Sequence, residues 1–434
     1  PRVNIMTRLV YPLNEPTTGL FENNPDKTSL EKFRFFHADE GKPLATPWQV
    51  ALSRAIILRQ YQLPEGIILD CACGSGIQIA AYSEILDHPV VGVELNENRA
   101  RASAVNFRTV FTERGGTSID RLNETVFVIG DGRDGGKVLA TLAEAGKSIQ
   151  QVGFLHLDPA RPRNSRAHAL TEMAPRLDEI FEGWKKYLNE TSEGPAILLD
   201  LSPRISKNQM LEVESLVDSF WPGVNKTWTW TSRGRGRVDR LALWIGCIAE
   251  PEYPRRFVRI PSEPTQAPFV MLGGKAVDDG SEMVDTSSIQ PKRGTYLSIV
   301  DSALVESGLA DTWLQSLSLG DDYIWAQVTG RRPIIYHQQR LEDNDQQRTN
   351  LIPVSGRIVD FVDADLSLKD IDEFVEIALQ HDIRKLTIRT EVAPDLQPKL
   401  QGSLDRQLAR RHGTKEGFII RHQGQEKYLL CVVN

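Results

Sequence analysis

Three acidic residues stand at intervals in the first third of the chain, each where a short apolar run ends: Asp70 after Ile67-Ile68-Leu69, Glu94 after Val90-Val91-Gly92-Val93, and Asp131 after Val126-Phe127-Val128-Ile129. Asp70 opens the segment Asp70-Cys71-Ala72-Cys73-Gly74-Ser75-Gly76, which runs into a helical pattern. Small residues there let backbone approach a ligand closely, and the N–H groups of a following helix face a bound anion. Glu94 comes 24 residues after Asp70, where a strand-end carboxylate accepts both hydroxyls of a ribose. Asp131, in Gly130-Asp131-Gly132, is placed to accept from an adenine amino group. A fourth run, Phe154 to Leu157, ends in Asp158-Pro159-Ala160-Arg161, an acid able to orient a reacting group and take its proton. A lone glycine turn says little, since any tight strand-to-helix turn uses one. Three acids on consecutive strand ends point to a nucleoside-containing cofactor. A nicotinamide dinucleotide is the competing ligand, but its GxGxxG spacing is absent, because Gln78 and Ile79 follow Gly76.

The elements that must position these residues follow from the same runs. Five apolar, β-branched stretches, the four above and Ala196 to Leu199, alternate with longer amphipathic segments. That alternation predicts right-handed βαβ crossovers and a buried parallel sheet, hence an α/β fold. After a helix expected over 208–220, strands are expected at Thr227 to Thr231 and Val238 to Ile248, joined by Ser232 to Arg237 as an antiparallel hairpin. A Pro-rich stretch from Pro251 to Pro268 then reads as an exit, with a boundary near residue 250. The expected division is a helical N-terminal region over 1–60, an α/β domain over 61–250, a connecting α+β region over 251–330 and a last α+β domain over 331–434. Within the tail, a helix is expected from Ala303 to Leu317 and another from Leu368 to His381. Strands are expected at 257–260, 323–328, 357–362, 385–390 and 417–422.

Composition bounds the function classes. The chain has 434 residues, 51 Lys+Arg against 58 Asp+Glu, 40% apolar and 25% charged residues, which excludes collagenous, mucin-like and wholly disordered proteins. No run approaches the roughly 18 apolar residues of a membrane span, and Pro1 to Leu20 lacks the order of a secretory signal. Cys71, Cys73, Cys247 and Cys431 match neither a disulfide ladder nor a zinc-site spacing. A reducing, cytoplasmic location and no metal are therefore expected, and Cys71 and Cys73 are expected for their small size.

The glycine segment with Asp70, Glu94 and Asp131 resembles motifs I, II and III of class I S-adenosylmethionine-dependent methyltransferases, with Ala72 where that family carries a glycine. Asp158-Pro159-Ala160-Arg161 stands where the family's motif IV lies; its second proline is replaced by Ala160 and its aromatic by Arg161. Any stacked base would then need another platform, such as Trp228, Trp230 or Phe35. Pro47-Trp48-Gln49, the extension to Pro162-Arg163, Leu201-Ser202-Pro203, Arg237 to Trp244 and Arg293 to Leu309 resemble an archaeal and bacterial methyltransferase family with a C-terminal THUMP-like domain. The resemblance implies a Rossmann-like sheet of seven strands, the last antiparallel, and S-adenosylmethionine held by Asp70, Ala72, Gly74, Gly76, Glu94 and Asp131. Gln49 is a further cofactor-side candidate, and Asp158, Pro159 and Arg161 are the catalytic candidates. THUMP domains deliver RNA, so tRNA or ribosomal RNA is the implied acceptor.

The charge distribution adds an independent hint. Residues 384–434 hold ten Lys+Arg against five Asp+Glu, a local +5 in a chain of net −7. Arg233, Arg235 and Arg237 lie among glycines in the hairpin connection. Both are candidates for phosphate contacts, beside the alternative of a solvated face and an ordinary turn. His156, inside an apolar run, reads as a hydrogen-bonded core residue, and His168 as part of a polar loop. Protein or small-molecule methylation, and a non-catalytic S-adenosylmethionine-binding module, remain the alternatives to RNA methylation.

Overall fold

The computed structural model describes residues 7–25, 30–39, 45–114, 119–147, 149, 151–161, 165–263, 266–277, 289–342 and 350–434. The chain divides into two compact units, Pro1–Arg233 with Val238–Asp279, and Gly234–Arg237 with Gly280–Asn434.

The first unit is built on a ten-stranded mixed sheet. In chain order its strands are β1 (Arg8–Val10), β2 (Ile67–Asp70), β3 (Val90–Glu94), β4 (Val126–Ile129), β5 (Val152–Leu157), β6 (Ala196–Leu201), β7 (Lys226–Ser232), β8 (Arg240–Gly246), β9 (Arg255–Arg259) and β10 (Phe269–Gly273). Across the sheet they lie in the order β1-β4-β3-β2-β5-β6-β8-β7-β9-β10. Strands β2 to β6 pair in parallel, as their uninterrupted apolar character requires: every residue of β2, β3, β4, β5 and β6 is buried. Strand order reverses at β2, so the ends of β2, β3 and β5 open on the crevice where doubly wound sheets bind ligands.

The helices that matter for the site are α1 (Trp48–Leu58), α2 (Ile77–Leu86), α3 (Glu97–Arg114), α4 (Gly135–Glu144), α5 (Leu177–Trp184) and α6 (Lys207–Phe220). Pro47 precedes α1 and Asp134 caps α4 through the Lys137 N–H. Ser206 and Gln209 form a reciprocal capping box on α6.

Three features depart from the sequence expectation. The helix expected from Trp48 to Tyr61 is present as α1, but the described residues before it are strand and loop, not a helical region: β1 pairs with β4, and Phe21–Glu22 pairs with Phe36–His37. Pro12, Pro16 and Gly19 in that arm disfavour helix. The sheet also runs on past residue 250, because β9 adds in parallel to β7 and β10 adds to β9. Finally, the helix expected over 303–317 is two short helices, Ser302–Glu306 and Ala310–Gln315, separated at Gly308, whose φ is +74°.

The second unit carries a seven-stranded sheet of β11 (Tyr296–Ile299), β12 (Ile324–Gln327), β13 (Ile334–His337), β14 (Val354–Val362), β15 (Ile383–Ile388), β16 (Lys415–Ile420) and β17 (Tyr428–Val433), in the order β12-β13-β11-β14-β17-β16-β15. Only β15 and β16 pair in parallel. Helices α7 (Ile371–Gln380) and α8 (Gln397–Ala409) contribute Ile371, Phe374, Leu400 and Leu404 to a core shared with Ile383, Leu386 and Leu430 of the sheet.

Candidate active site

The loop after β2 is shaped by its own acid. Asp70 is buried, and its Oδ1 accepts from the Ala72 N–H at 3.2 Å. Gly74 and Gly76 have φ of +53° and +73°, a region that favours glycine. A Cβ on Gly76 would lie 2.8 Å from Ser103 Cα, so glycine there is demanded by packing as well. A Cβ on Gly74 would meet nothing within 4 Å: the space over that turn is open.

Glu94 closes the loop from the neighbouring strand. Its Oε2 accepts from the Gly74 N–H at 3.1 Å and its Oε1 from the Asn96 N–H at 3.0 Å. Burial raises the carboxyl's pKa, and the two backbone donors and Arg99 oppose the rise. Each oxygen accepts one backbone N–H and keeps a further acceptor site, the arrangement that receives a pair of vicinal hydroxyls.

Asp131 stands at the expected place after β4, but its carboxylate is closed by a neighbour two residues on. Arg133 donates from Nε to Oδ1 at 2.9 Å and from Nη2 to Oδ2 at 2.8 Å, and its other nitrogen reaches Glu179 at 2.6 Å. An adenine amino group would have to share Asp131 with that guanidinium. Gln49, on α1, is half-buried and engaged in an interaction of its own.

The most extensive polar feature of the site joins Asp70 and the expected core histidine His156 to two residues the sequence did not single out, Asp200 and Arg54. His156, buried near the end of β5, bonds through Nδ1 to Asp70 Oδ2 at 3.0 Å and through Nε2 to Asp200 Oδ2 at 2.9 Å. Asp200, buried within β6, accepts a two-pronged contact from Arg54 of α1, at 2.6 and 2.8 Å. Arg54 also donates to Gln78 of α2, whose amide reaches the Ala51 carbonyl. The chain therefore runs α1–β6–β5–β2 and ends on the N–H of Ala72. Charges alternate along it: guanidinium, carboxylate, imidazolium, carboxylate. Burial alone would lower the His156 pKa, but Asp70 and Asp200 outweigh it and raise it to about 9. Burial likewise works against Asp200, and Arg54 and His156 hold its carboxyl well below the usual range. A signal was present in the sequence: an aspartate inside the apolar run Ala196 to Leu201 must find a partner.

Asp158 lies at the end of β5, two residues beyond His156. Its side chain is exposed, yet protein crowds it closely enough that desolvation raises its pKa. Asp200 pushes in the same direction, against Arg240, His156 and Arg54. Pro159 is buried, while Ala160 is anchored by reciprocal backbone bonds to Ala174 at 3.0 Å. Arg161 is half-buried, its Nε and Nη2 find no acceptor among the described residues, and burial lowers its pKa against the pull of Asp158 and Glu172. Pro162, Arg163 and Asn164 lie outside the described residues.

Other sequence candidates are placed differently. Trp228 and Trp230 are 0% and 4% exposed, so neither offers a face to a base; both fill the core beside β8 and β9. Phe35 is half-buried against Phe33 and Trp48. In the hairpin connection, Arg233 is paired with Asp239 at 3.0 Å, whereas Arg235 and Arg237 are exposed. Cys71 and Cys73 are buried, and burial raises both thiol pKa values, which makes them poor nucleophiles. Among the described residues no cluster of three or more His, Cys, Asp or Glu could hold a metal, and no helix is long and apolar enough to cross a membrane.

No family model matches the sequence, and no curated protein does. Among solved structures, a protein assigned as a methyltransferase from Porphyromonas gingivalis W83 is similar at a TM-score of 0.52 and 14% identity, over 89% of this chain and 80% of that one. A class I S-adenosylmethionine-dependent methyltransferase assigned in Listeria monocytogenes matches over 52% of this chain and 69% of that one, at 13% identity and a TM-score of 0.33. The O-methyltransferase TomG of Streptomyces achromogenes, solved with S-adenosylmethionine, matches over 47% of this chain and 82% of that one, at 14% identity and a TM-score of 0.31. The Porphyromonas likeness shows the fold: this chain has an α/β architecture shared with a methyltransferase-assigned protein across most of its length.

Proposed function

We propose that the chain transfers the methyl group of S-adenosylmethionine to a nucleophile in RNA, tRNA or ribosomal RNA, in the cytoplasm. The observation that carries the reading is the meeting of four groups at one sheet edge: the open glycine turn, the Glu94 carboxylate that braces it, the Ala72 N–H fixed by Asp70, and Asp158 on the adjacent strand. In this reading the seven strands from β4 through β7 across the sheet form the catalytic platform, and the second unit is the THUMP-like domain.

The cofactor, when bound, supplies a methyl group already activated on a sulfonium, so the protein's work is alignment and proton handling. Glu94 receives the ribose hydroxyls, and Gly74 and Gly76 let the backbone pass close to the ligand. Asp131 with Arg133 borders the adenine. Asp70 positions the loop without facing the ligand itself. Asp158, with its pKa raised by desolvation, accepts a hydrogen bond from the acceptor and takes its proton. Pro159 and the Ala160–Ala174 pairing fix the turn that presents it, and Arg161 draws an anionic part of the acceptor toward Asp158. Arg235, Arg237 and the basic segment 384–434 supply phosphate contacts.

Methyl-labelled S-adenosylmethionine offered with undermodified tRNA, ribosomal RNA and cell protein as separate acceptors tests this. Label is expected in one RNA class, and Asp158→Ala is expected to cut the rate about 100-fold or more with cofactor affinity within about twofold of wild type. Label entering protein alone, or cofactor binding with no transfer to any pool, would overturn the RNA reading.

A further inference from the structure

The second unit holds a cavity of about 820 Å³, lined in part by the basic segment 384–434, to which the methyl-transfer reading gives only general phosphate contacts and no defined ligand. Three turns wall it: the β12–β13 turn with Arg331 and Arg332, the end of β15 with Arg389 and Glu391, and the β16–β17 turn with Arg421 and Glu426. Four arginines thus line one concavity together with two glutamates. Among the described residues no carboxylate lies within ion-pair distance of Arg331, Arg332, Arg389 or Arg421. Elsewhere in the same unit basic residues do find partners: Arg384 pairs with Glu416 at 3.3 Å and Lys427 with Asp363 at 3.4 Å. The Arg389 Nε–H is buried and has no acceptor among the described residues. Arg421 is held over the Tyr428 ring, 4.6 Å from its centre.

The energetics of this arrangement favour the binding of an anion. Arg332 has its pKa lowered by burial first, then by the charge of Arg389, with Arg331 adding to it and Glu391 opposing. Like charges gathered in a partly desolvated hollow cost stability unless something anionic neutralises them. The hollow is also supported from beneath. The Gln423 N–H donates to Gln327 Oε1 at 2.9 Å, tying the two turns together, and Tyr336 bonds His422 at 2.7 Å. Planar guanidinium forks match phosphate oxygens in pairs, which ammonium groups do not.

We propose that this cavity is a second ligand site, one that binds a phosphomonoester: the terminal phosphate of an oligonucleotide or a free mononucleotide. Its volume exceeds what a bare phosphate fills and suits a phosphate with one nucleoside attached. A concave site with converging cations selects a chain end or a small molecule over the continuous flank of a duplex.

Binding to the full chain is measured by titration calorimetry at fixed ionic strength, with three probes: a short single-stranded RNA carrying a 5′-phosphate, the same RNA without it, and adenosine monophosphate. The phosphorylated RNA is expected to bind at least tenfold more tightly than its unphosphorylated form, and Arg389→Gln or Arg332→Gln to abolish that difference. Adenosine monophosphate matching the phosphorylated RNA would identify the source as a free nucleotide; phosphorylated RNA binding far better would identify a nucleic-acid end. Equal affinity of wild type for both RNA forms, together with no binding of the mononucleotide, overturns the proposal without recourse to any variant. S-adenosylmethionine binding, titrated in the same samples, is expected to be unchanged by Arg389→Gln, so the failure of one reading is separable from the failure of the other.

Discussion

The two units handle buried charge in opposite ways. At the strand ends of the first unit, Arg54, Asp200, His156 and Asp70 form a closed series in which every charge meets its opposite within 3.0 Å. In the cavity of the second unit, four arginines share a hollow and the Arg389 Nε–H has no acceptor among the described residues. The first arrangement is complete in the protein alone and spends its charges on geometry: it fixes a loop. The second is incomplete until something anionic arrives. A charge cluster therefore means different things according to whether it is internally balanced, and the balance can be tested directly.

The largest effect is expected from Asp200→Ala. It leaves Arg54 and a protonated His156 buried without their shared partner, a loss of about 3–5 kcal/mol in urea unfolding. A change below about 1 kcal/mol would mean that the series is not the closed unit described.

Next in size is a pH effect. His156 has its folded pKa raised to about 9 from an ordinary 6.5, so the folded chain keeps a proton that the unfolded chain has released. The resulting stabilisation is fully present below the unfolded value and is lost as pH rises through the folded one. Stability should fall by an amount on the order of 3 kcal/mol between these limits. Unfolding curves in that window should be markedly flatter for His156→Gln; a slope equal to wild type would show that His156 is not the group responsible.

The smallest effect lies in the second unit and has the opposite sign. Arg331→Gln removes one of several like charges from an exposed position, so stability without ligand is expected to be unchanged or to rise by about 0.5 kcal/mol. A loss above about 1 kcal/mol would show that Arg331 has a structural partner, making the two regions alike.

Much of the first unit was legible in the sequence because strands buried on both faces leave continuous apolar runs, and their terminal acids stand out against them. Asp70, Glu94, Asp131 and Asp158 were found in this way, and all four lie at strand ends. Asp200 was hidden by the same logic. It lies inside an apolar run, and its partner Arg54 is 146 residues away on a helix whose pattern looks merely apolar. Arg133 escaped notice because a basic residue in a polar turn is ordinary until it is seen to close Asp131. In the second unit, the strand positions over 354–362 and 415–420 were close, but helix α8 went unread, its only signal being Leu400, Leu404 and Leu408 at four-residue spacing among polar residues. The arginine cavity depends on three turns that sequence distance does not connect.

Strand β1 has a consequence for the association of chains with one another. It covers β4, with Arg8, Leu9 and Val10 opposite Ile129, Val128 and Phe127. The arm that carries it is tied down by Arg101 and Arg108 of α3, which donate to the carbonyls of Pro12, Pro16 and Thr18. Without that arm, β4 would present an apolar row of unpaired backbone groups, a template on which another chain's strand can add. Three short residues of strand thus act as a guard against polymerisation, and a shortened chain beginning at α1 should show it as concentration-dependent self-association.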